Sequence, residues 1–166
     1  SGNDAAVAIA EYISGDVDSF AALMNQEAAA MGATRSHFVN PNGLPDENHY
    51  TCVYDMYLIF SNAIKNDTFV SIIGTTSYDV TYTDASGEAV THTWENTNQY
   101  LTGNATTPDG FQIVGGKTGT TGEAGYCLVL YSYNPSGQPI ISIVFKADGK
   151  SNLYLLMNEM LQGFAI

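Results

Sequence analysis

The chain has 166 residues, 45% of them hydrophobic, and its five Lys and Arg against seventeen Asp and Glu give a formal net charge of −12. This length and composition fit one domain with a packed core and exclude a disordered chain. The negative charge repels phosphate backbones and anionic lipid surfaces, so nucleic acid is not an expected partner. No apolar run approaches the ~20 residues of a membrane-spanning helix.

Helical patterns dominate the first half of the sequence. Apolar residues recur at helical spacing in "DAAVAIAEYIS", "DSFAALMNQEAAAMG", "CVYDMYLIFSNAIKN" and "TFVSIIG". We predict four helices there, the first capped by Asp4 and ended by Gly15, the third capped by Thr51, and the short fourth beginning at Asp67. The intervening "FVNPNGLPDENHY" holds two prolines and three asparagines and predicts a structured loop.

The pattern changes to alternation in the second half. "SYDVTYT" and "AVTHTW" flank the turn "DASGE" and predict a surface hairpin. "FQIVGGKTG", "AGYCLVLYSY" and "PIISIVFKA" predict three strands, the last two antiparallel, and "SNLYLLMNEMLQGF" predicts a final helix. These strands are almost continuously apolar, so we expect both faces of their sheet to be covered. The chain is therefore an α+β protein, mainly helical over 1–75, with the hairpin, the sheet and the last helix in 76–166.

The cysteines and histidines give no sign of a metal site. Cys52 and Cys127 are too few and too far apart for a disulfide framework or a zinc site, and their apolar surroundings predict two buried thiols. No ligand spacing links His37, His49 and His92. We expect neither a metal nor a cofactor.

One lysine stands among glycines and threonines in "GGKTGTTGEAGYC". Glycine lets a ligand approach the backbone closely because it has no Cβ, and Lys117 adds a fixed positive charge at that point. Thr118, Thr120 and Thr121 add hydroxyl groups. This combination suits a carboxylate that lies against a strand edge. A phosphate-binding loop is excluded, because the glycine expected four residues further upstream is missing and a strand follows instead of a helix.

A second triplet stands at the start of the chain. "SGN", Ser1 to Asn3, precedes a helix, and a Ser-x-Asn triplet upstream of Lys-Thr-Gly makes two of the three motifs of the penicillin-recognising serine enzymes. The remaining motif, Ser-x-x-Lys, is absent from this sequence. The positions three before its lysines hold Asn62, Val114, Ile143 and Ala147.

Four segments carry a family resemblance. "SGNDA", "MGATRSHFVNPNGL", "HYTCVYDM" and "GGKTGTTGEAGYC", in this order, resemble the D-alanyl-D-alanine carboxypeptidases of the low-molecular-weight penicillin-binding proteins, from Ser1 to about Phe164. The resemblance implies a β-lactamase/transpeptidase-like α+β fold, with a helical region packed on an antiparallel sheet that is five-stranded when complete. We expect three of those strands and the hairpin here. Since the sequence runs almost directly into a helix, we expect residues 1–166 to be an N-terminally truncated part of one catalytic domain that lacks the Ser-x-x-Lys segment.

The resemblance also implies roles for single residues. Ser1 matches the serine that relays protons between the base and the leaving group, and Asn3 matches the asparagine that bonds the substrate's amide. Lys117 and Thr118 match the residues that hold the substrate's terminal carboxylate. Gly119 keeps the strand open to the substrate, and the Thr120 N–H matches one half of the oxyanion hole.

The activity implied is that of a serine peptidase of cell-wall peptidoglycan. A serine attacks the D-Ala-D-Ala bond of a stem peptide, releases D-alanine, and water hydrolyses the acyl-enzyme; β-lactam antibiotics acylate the same serine. No metal takes part. The family works in the cell envelope, outside the cytoplasmic membrane, and any membrane association would come from segments outside this chain. Because the nucleophile is absent, we expect the chain alone to be inactive.

Two alternatives remain open. A non-catalytic relative that only binds peptidoglycan peptides would also lack Ser-x-x-Lys, and finding that motif upstream in the encoded protein would separate it from the carboxypeptidase. A serine β-lactamase would need a deacylating glutamate in a loop between Asn3 and Lys117. Of the glutamates in that interval before the hairpin, Glu11 lies in the first predicted helix, and neither Glu27 nor Glu47 lies in such a loop.

Overall fold

The computed structural model describes residues 1–165. Five helices and five strands follow one another along this part of the chain: α1 (Asn3–Ser14), α2 (Val17–Ala30), α3 (Val53–Ala63), α4 (Asp67–Ile73), β1 (Ser77–Thr83), β2 (Ala89–Glu95), β3 (Gln112–Thr121), β4 (Gly125–Tyr133), β5 (Pro139–Ala147) and α5 (Lys150–Gly163). None of these helices combines the length and hydropathy of a membrane span.

The starts of α1, α2 and α3 differ from the sequence predictions by one or two residues, whereas α4 begins at Asp67 as predicted. Helix α1 begins one residue before Asp4, with Gly2 as its N-cap. Thr51 does not cap α3; Cys52 holds that position without a side-chain hydrogen bond, and the Thr51 hydroxyl bonds to Ser36 instead. The Asp16 carboxylate caps α2 by accepting the Ser19 N–H at 2.7 Å. The predicted end of α1 is confirmed, because Gly15 follows its last residue at φ 88°.

The strands form two separate antiparallel sheets. β1 and β2 make a two-stranded hairpin, and β3, β4 and β5 make a three-stranded sheet in the order β3-β4-β5. The register between β3 and β4 shifts at a bulge between Ile113 and Gly115. The strand order places β3 at an edge of the sheet: one side pairs with β4, and the other side pairs with no strand within residues 1–165. The predicted α+β class, with three sheet strands and a hairpin, is confirmed.

Both faces of the larger sheet are covered, as its apolar strands predicted. Helix α5 packs on one face, where Leu128 and Leu130 of β4 meet Met157 and Leu161 of the helix, all fully buried. On the opposite face Val129 lies in a second cluster with residues of α3 and α4. Leu-sized side chains buried in this way each stabilise the fold by about 1.5–3 kcal/mol.

Glycines allow α4 to sit against the start of β3. A Cβ on Gly115 would lie 2.5 Å from the Ile73 carbonyl oxygen, and a Cβ on Gly74 would lie 2.7 Å from that of Val114. On the opposite side of β3, a Cβ on Gly116 would collide with the carbonyl oxygen of Val129 in β4. Only glycine permits these backbone contacts. They fix the strand immediately before Lys117.

Candidate active site

Lys117 and Ser1 meet although 116 residues separate them in the chain. The Lys117 ammonium donates to the Ser1 hydroxyl at 2.7 Å and to the Thr118 carbonyl at 2.6 Å. Strand β3 positions the lysine, and the segment leading into α1 positions the serine. The two side chains that the sequence assigned to one site therefore lie within hydrogen-bond distance.

The strand that carries Lys117 presents an open edge. Gly119 and Thr120 are exposed, and a Cβ built on Gly119 meets no atom within 4 Å. An edge strand has unpaired N–H and C=O groups that an extended peptide can pair with. This edge has the shape and hydrogen-bonding groups to hold a peptide as an additional antiparallel strand.

The remaining predicted site residues are less engaged. Thr118 bonds through its hydroxyl to the hydroxyl of Thr97 at 2.5 Å, which ties β3 to the segment after the hairpin. Asn3 is exposed at the start of α1, and it makes no side-chain hydrogen bond to residues 1–165. Its amide is thus free for a ligand. Thr97 was not predicted from the sequence, because nothing in "ENTNQ" marks it as a partner of a strand that lies beyond the next loop.

Partial burial lowers the pKa of Lys117 below the 10.5 of an ordinary lysine. The cause is desolvation, which disfavours the charged form of an amine. A carboxylate that binds beside the ammonium would favour the charged form again. Binding of an anion should therefore raise the pKa of Lys117 again and stabilise its charged form.

A cavity of about 580 Å³ opens beside Ser1. It lies between the end of α4 and the base of the hairpin, and its lining residues are Ser1, Ser71, Ile72, Thr75, Ser77, Tyr78, Trp94, Glu95 and Asn96. Asn96 holds this corner together, since its side chain donates to the Thr75 carbonyl at 2.8 Å. This cavity is not predictable from the sequence, because its residues come from the start of the chain, α4 and the two hairpin strands, which share no motif.

A second groove lies between α2 and α3 and has a different character. Its volume is about 390 Å³, and apolar side chains such as Phe20, Leu23, Met24 and Met56 line it. Glu27 is its one charged residue. The residues that line it include no nucleophile and no cation, unlike the surroundings of Ser1 and Lys117.

A buried carboxylate anchors the loop before α3. Asp55 is 1% exposed and accepts the Arg35 backbone N–H at 2.6 Å and the Ser36 hydroxyl at 2.8 Å. Burial alone would raise the pKa of Asp55, but the bonds from Ser36, Arg35 and Cys52 outweigh it and leave the pKa lowered. This network fixes the two ends of the loop, in which the Asn40 side chain also bridges Gly43 and Leu44. The predicted structured loop is confirmed.

His49 belongs to the same loop as an acceptor. Its Nδ1 accepts the Val39 N–H at 3.1 Å, so this nitrogen carries no proton. Burial lowers its pKa, and the nearby charge of Asp46 only partly offsets this effect.

No three His, Cys, Asp or Glu side chains within residues 1–165 come close enough to hold a metal ion. Cys52 and Cys127 are unpaired and only half-buried, so the prediction of two buried thiols was wrong in degree.

Comparisons with known proteins agree with this architecture. A mutant of the Streptomyces K15 DD-transpeptidase superimposes with a TM-score of 0.86 at 30% identity, over 98% of this chain and 63% of that one. The D-alanyl-D-alanine carboxypeptidase DacD from Francisella tularensis superimposes with a TM-score of 0.81 at 26% identity, over 97% of this chain and 48% of that one. The fold is that of the DD-peptidases.

The sequence comparisons assign the family. The model described as D-alanyl-D-alanine carboxypeptidase, peptidase family S11, matches residues 1–149. The carboxypeptidase DacF of Bacillus subtilis is 35% identical over 162 residues, which are 97% of this chain and 39% of that protein. A D-alanyl-D-alanine carboxypeptidase of Streptomyces is 32% identical, over 100% of this chain and 57% of that protein. The chain belongs to the D-alanyl-D-alanine carboxypeptidase family of serine peptidases, and it spans about two fifths to three fifths of the length of these relatives.

Proposed function

We propose that this chain is the part of a serine D-Ala-D-Ala carboxypeptidase that carries the second and third motifs of the active site. The observation that supports this most directly is the 2.7 Å contact of Lys117 with Ser1 at the free edge of β3. In this proposal the nucleophilic serine and its activating lysine come from a Ser-x-x-Lys segment that is not in the present sequence. The apolar side chains left exposed on α1, Ile9 at 59% and Ile13 at 56%, are consistent with a further segment packing there.

The substrate lies along β3 and is held at its end. A stem peptide ending in D-Ala-D-Ala pairs with the free edge near Gly119 and directs its terminal carboxylate to Lys117 and Thr118. A charge-assisted bond to that carboxylate contributes ~1.5–3 kcal/mol. Asn3 holds the peptide amide in a fixed orientation. Orienting a peptide in this way converts the attack into an effectively unimolecular step.

The chemical step is acyl transfer to the serine. Its hydroxyl oxygen attacks the carbonyl carbon between the two D-alanines while the Ser-x-x-Lys lysine takes its proton. The Thr120 N–H stabilises the oxyanion as one of two donors. Ser1 passes a proton to the departing amine, so the C–N bond breaks and free D-alanine leaves. Water then hydrolyses the ester, which restores the serine and releases the shortened peptide.

The same site explains the proposed partners. A β-lactam presents a carboxylate and a strained amide in the places of the peptide's carboxylate and scissile bond, so penicillins acylate the serine. Peptidoglycan lies outside the cytoplasmic membrane, and we therefore assign the complete protein to the cell envelope, with any membrane attachment through segments outside this chain. No metal or cofactor has a role in these steps.

The test is release of D-alanine by the complete encoded protein. Purified protein is incubated with a soluble peptide ending in D-Ala-D-Ala, and free D-alanine is followed over time. Release that benzylpenicillin abolishes supports the carboxypeptidase. A folded protein that binds the peptide but releases nothing supports the non-catalytic relative, and rapid turnover of benzylpenicillin without release of D-alanine supports a β-lactamase. Neither Glu27 nor Glu47 lines the Ser1 cavity, and the one glutamate that does, Glu95, is the last residue of the hairpin strand β2.

A further inference from the structure

We propose that the hairpin β1–β2 binds the sugar rings of the glycan strand that carries the stem peptide. This inference rests on the proposed function and extends it with a second binding surface. The surface, here called the aromatic face, consists of Tyr78, Tyr82, Val90, His92 and Trp94 with Val80 between them.

The register of the hairpin puts these side chains on one side. Tyr78 pairs with Trp94, Val80 with His92 and Tyr82 with Val90. Residues two apart on a strand point to the same face, so all six project together. The opposite face is polar. There Asp79 accepts the Thr93 hydroxyl at 2.6 Å, and Thr81 and Thr91 share a hydrogen bond.

The rings of the aromatic face are open to solvent. Tyr78 is 61% exposed, Trp94 54% and Tyr82 48%. Trp94 is held by an edge contact with His92, whose ring centroid lies 5.9 Å away. A rise of about 3.3 Å per residue separates Tyr78 from Tyr82 by about 13 Å along β1. Only an extended ligand touches both ends of the face.

The aromatic face leads directly to the candidate active site. Tyr78 and Trp94 line the same cavity as Ser1. Three residues after Trp94, Thr97 bonds to Thr118 of β3, which fixes the base of the hairpin against the strand that presents Lys117. A polymer that rests on the hairpin therefore runs toward the point at which its attached peptide would be cut.

The chemistry of the hairpin favours a neutral sugar over other partners. Its charged residues are Asp79, Asp84, Glu88 and Glu95, with no Lys or Arg, so it repels anionic lipids. Its tip is the acidic turn at Asp84, which opposes insertion into a bilayer. The ribbon, seven residue pairs long, is small for a stable protein interface, which needs about 800 Å² per partner. Flat rings bordered by hydroxyl, indole and imidazole groups match sugar rings, which present C–H faces and hydroxyl edges.

The experiment compares two substrates in the complete encoded protein. One is a soluble peptide ending in D-Ala-D-Ala, and the other is the same peptide attached to peptidoglycan glycan strands. The readout is the ratio of kcat/KM for the glycan-linked peptide to kcat/KM for the free one. We expect Trp94→Ala and Tyr82→Ala each to lower this ratio roughly three- to tenfold. Tyr57→Ala, which removes a tyrosine that is 44% exposed on α3, is the matched control and should keep the wild-type ratio.

A direct binding measurement supplements the kinetics. Trp94 is the only tryptophan of this chain. A neutral N-acetylglucosamine oligomer should quench the part of the fluorescence that Trp94→Phe removes, and Tyr82→Ala, which keeps Trp94, should weaken this quenching. Binding to phosphatidylcholine vesicles that depends on Trp94, without any sugar effect, would point to a membrane and contradict the inference.

The outcomes separate the two proposals. If the free peptide is cleaved but both hairpin variants keep the wild-type ratio and no quenching occurs, the inference fails and the proposed function stands. If wild-type protein cleaves neither substrate, the proposed function fails and the inference fails with it.

Discussion

Lys117 donates to the hydroxyl of Ser1 at 2.7 Å, and this bond joins the edge strand of the sheet to the start of α1. The Lys117 ammonium and the Ser1 hydroxyl thus lie together beside the free edge of β3. The desolvated ammonium has no carboxylate partner within residues 1–165, where the only ion pair joins Arg35 and Asp55. In the proposed function, the carboxylate of the substrate supplies this missing partner.

The first prediction concerns the charge of Lys117. In the complete protein, Lys117→Ala should slow acylation by benzylpenicillin by roughly 10- to 100-fold, because a charge-assisted bond of ~1.5–3 kcal/mol is lost. Lys65→Ala is the control, since Lys65 is an exposed lysine whose amine contacts only Asn62. Stopped-flow acylation measures both variants. Equal rates for Lys117→Ala and wild type would remove the lysine from the site.

The second prediction concerns the alkaline side of the pH profile. Lys117 binds a carboxylate only when protonated, and burial lowers its pKa below 10.5. The acylation rate constant at low drug concentration should therefore fall with rising pH before an ordinary lysine would lose its proton. Lys117→Arg keeps its charge throughout, so its profile should lack this limb. The account is wrong on this point if the two profiles have the same alkaline limb.

The third prediction compares two glycines on β3. Gly116→Ala should lower the free energy of unfolding by ~1–3 kcal/mol, because its Cβ collides with the Val129 carbonyl in the neighbouring strand. Gly119→Ala meets no protein atom within 4 Å and should fold normally, but it should weaken ligand binding at the open edge. Urea denaturation and acylation kinetics measure the two effects. If Gly119→Ala instead lowered the stability and Gly116→Ala weakened only ligand binding, the assignment of the free edge would be wrong.

The fourth prediction concerns His49 and stability. The folded chain keeps His49 neutral, with a pKa lowered from 6.5, because its Nδ1 accepts from Val39 and is partly buried. In the unfolded chain His49 has its ordinary, higher pKa and is protonated at a higher pH than in the folded chain. Stability is thus complete above about pH 6.5 and falls as the pH drops toward the folded-state pKa. The urea midpoint should show this slope in wild type and in His92→Gln, and His49→Gln should reduce it. An unchanged slope in His49→Gln would disprove the role of His49.

The sequence predicted most of the fold, because the alternation of side chains in the strands and the 3.6-residue spacing of apolar side chains in the helices are both strong here. The alternation of "SYDVTYT" and "AVTHTW" gave the hairpin with its correct turn, and the apolar runs of β4 and β5 gave a sheet covered on both faces. Helix starts were less accurate. Capping depends on backbone geometry that composition does not determine, and Thr51 bonds to Ser36 instead of capping α3.

The candidate site, too, was predicted only in part from the sequence. Family resemblance predicted that Ser1 and Lys117 belong to one site, since each motif is a local string, and the two side chains do lie within hydrogen-bond distance. The bond between Thr97 and Thr118 and the burial of Asp55 depend on residues brought together by folding, and no local pattern encodes them. Asp55 in particular lies in the third predicted helix, and nothing in the sequence marks its carboxylate as buried. Its charge is buried only because Ser36 and Arg35 supply hydrogen bonds from another segment.

The most direct measurement is intact-mass spectrometry of the complete encoded protein before and after incubation with benzylpenicillin, followed by peptide mapping. We predict an adduct of one drug molecule on a serine that is followed three residues later by a lysine, a motif that this chain does not contain, and slower adduct formation in Lys117→Ala. A folded protein that forms no adduct, or an adduct on Ser1 itself, would contradict the account.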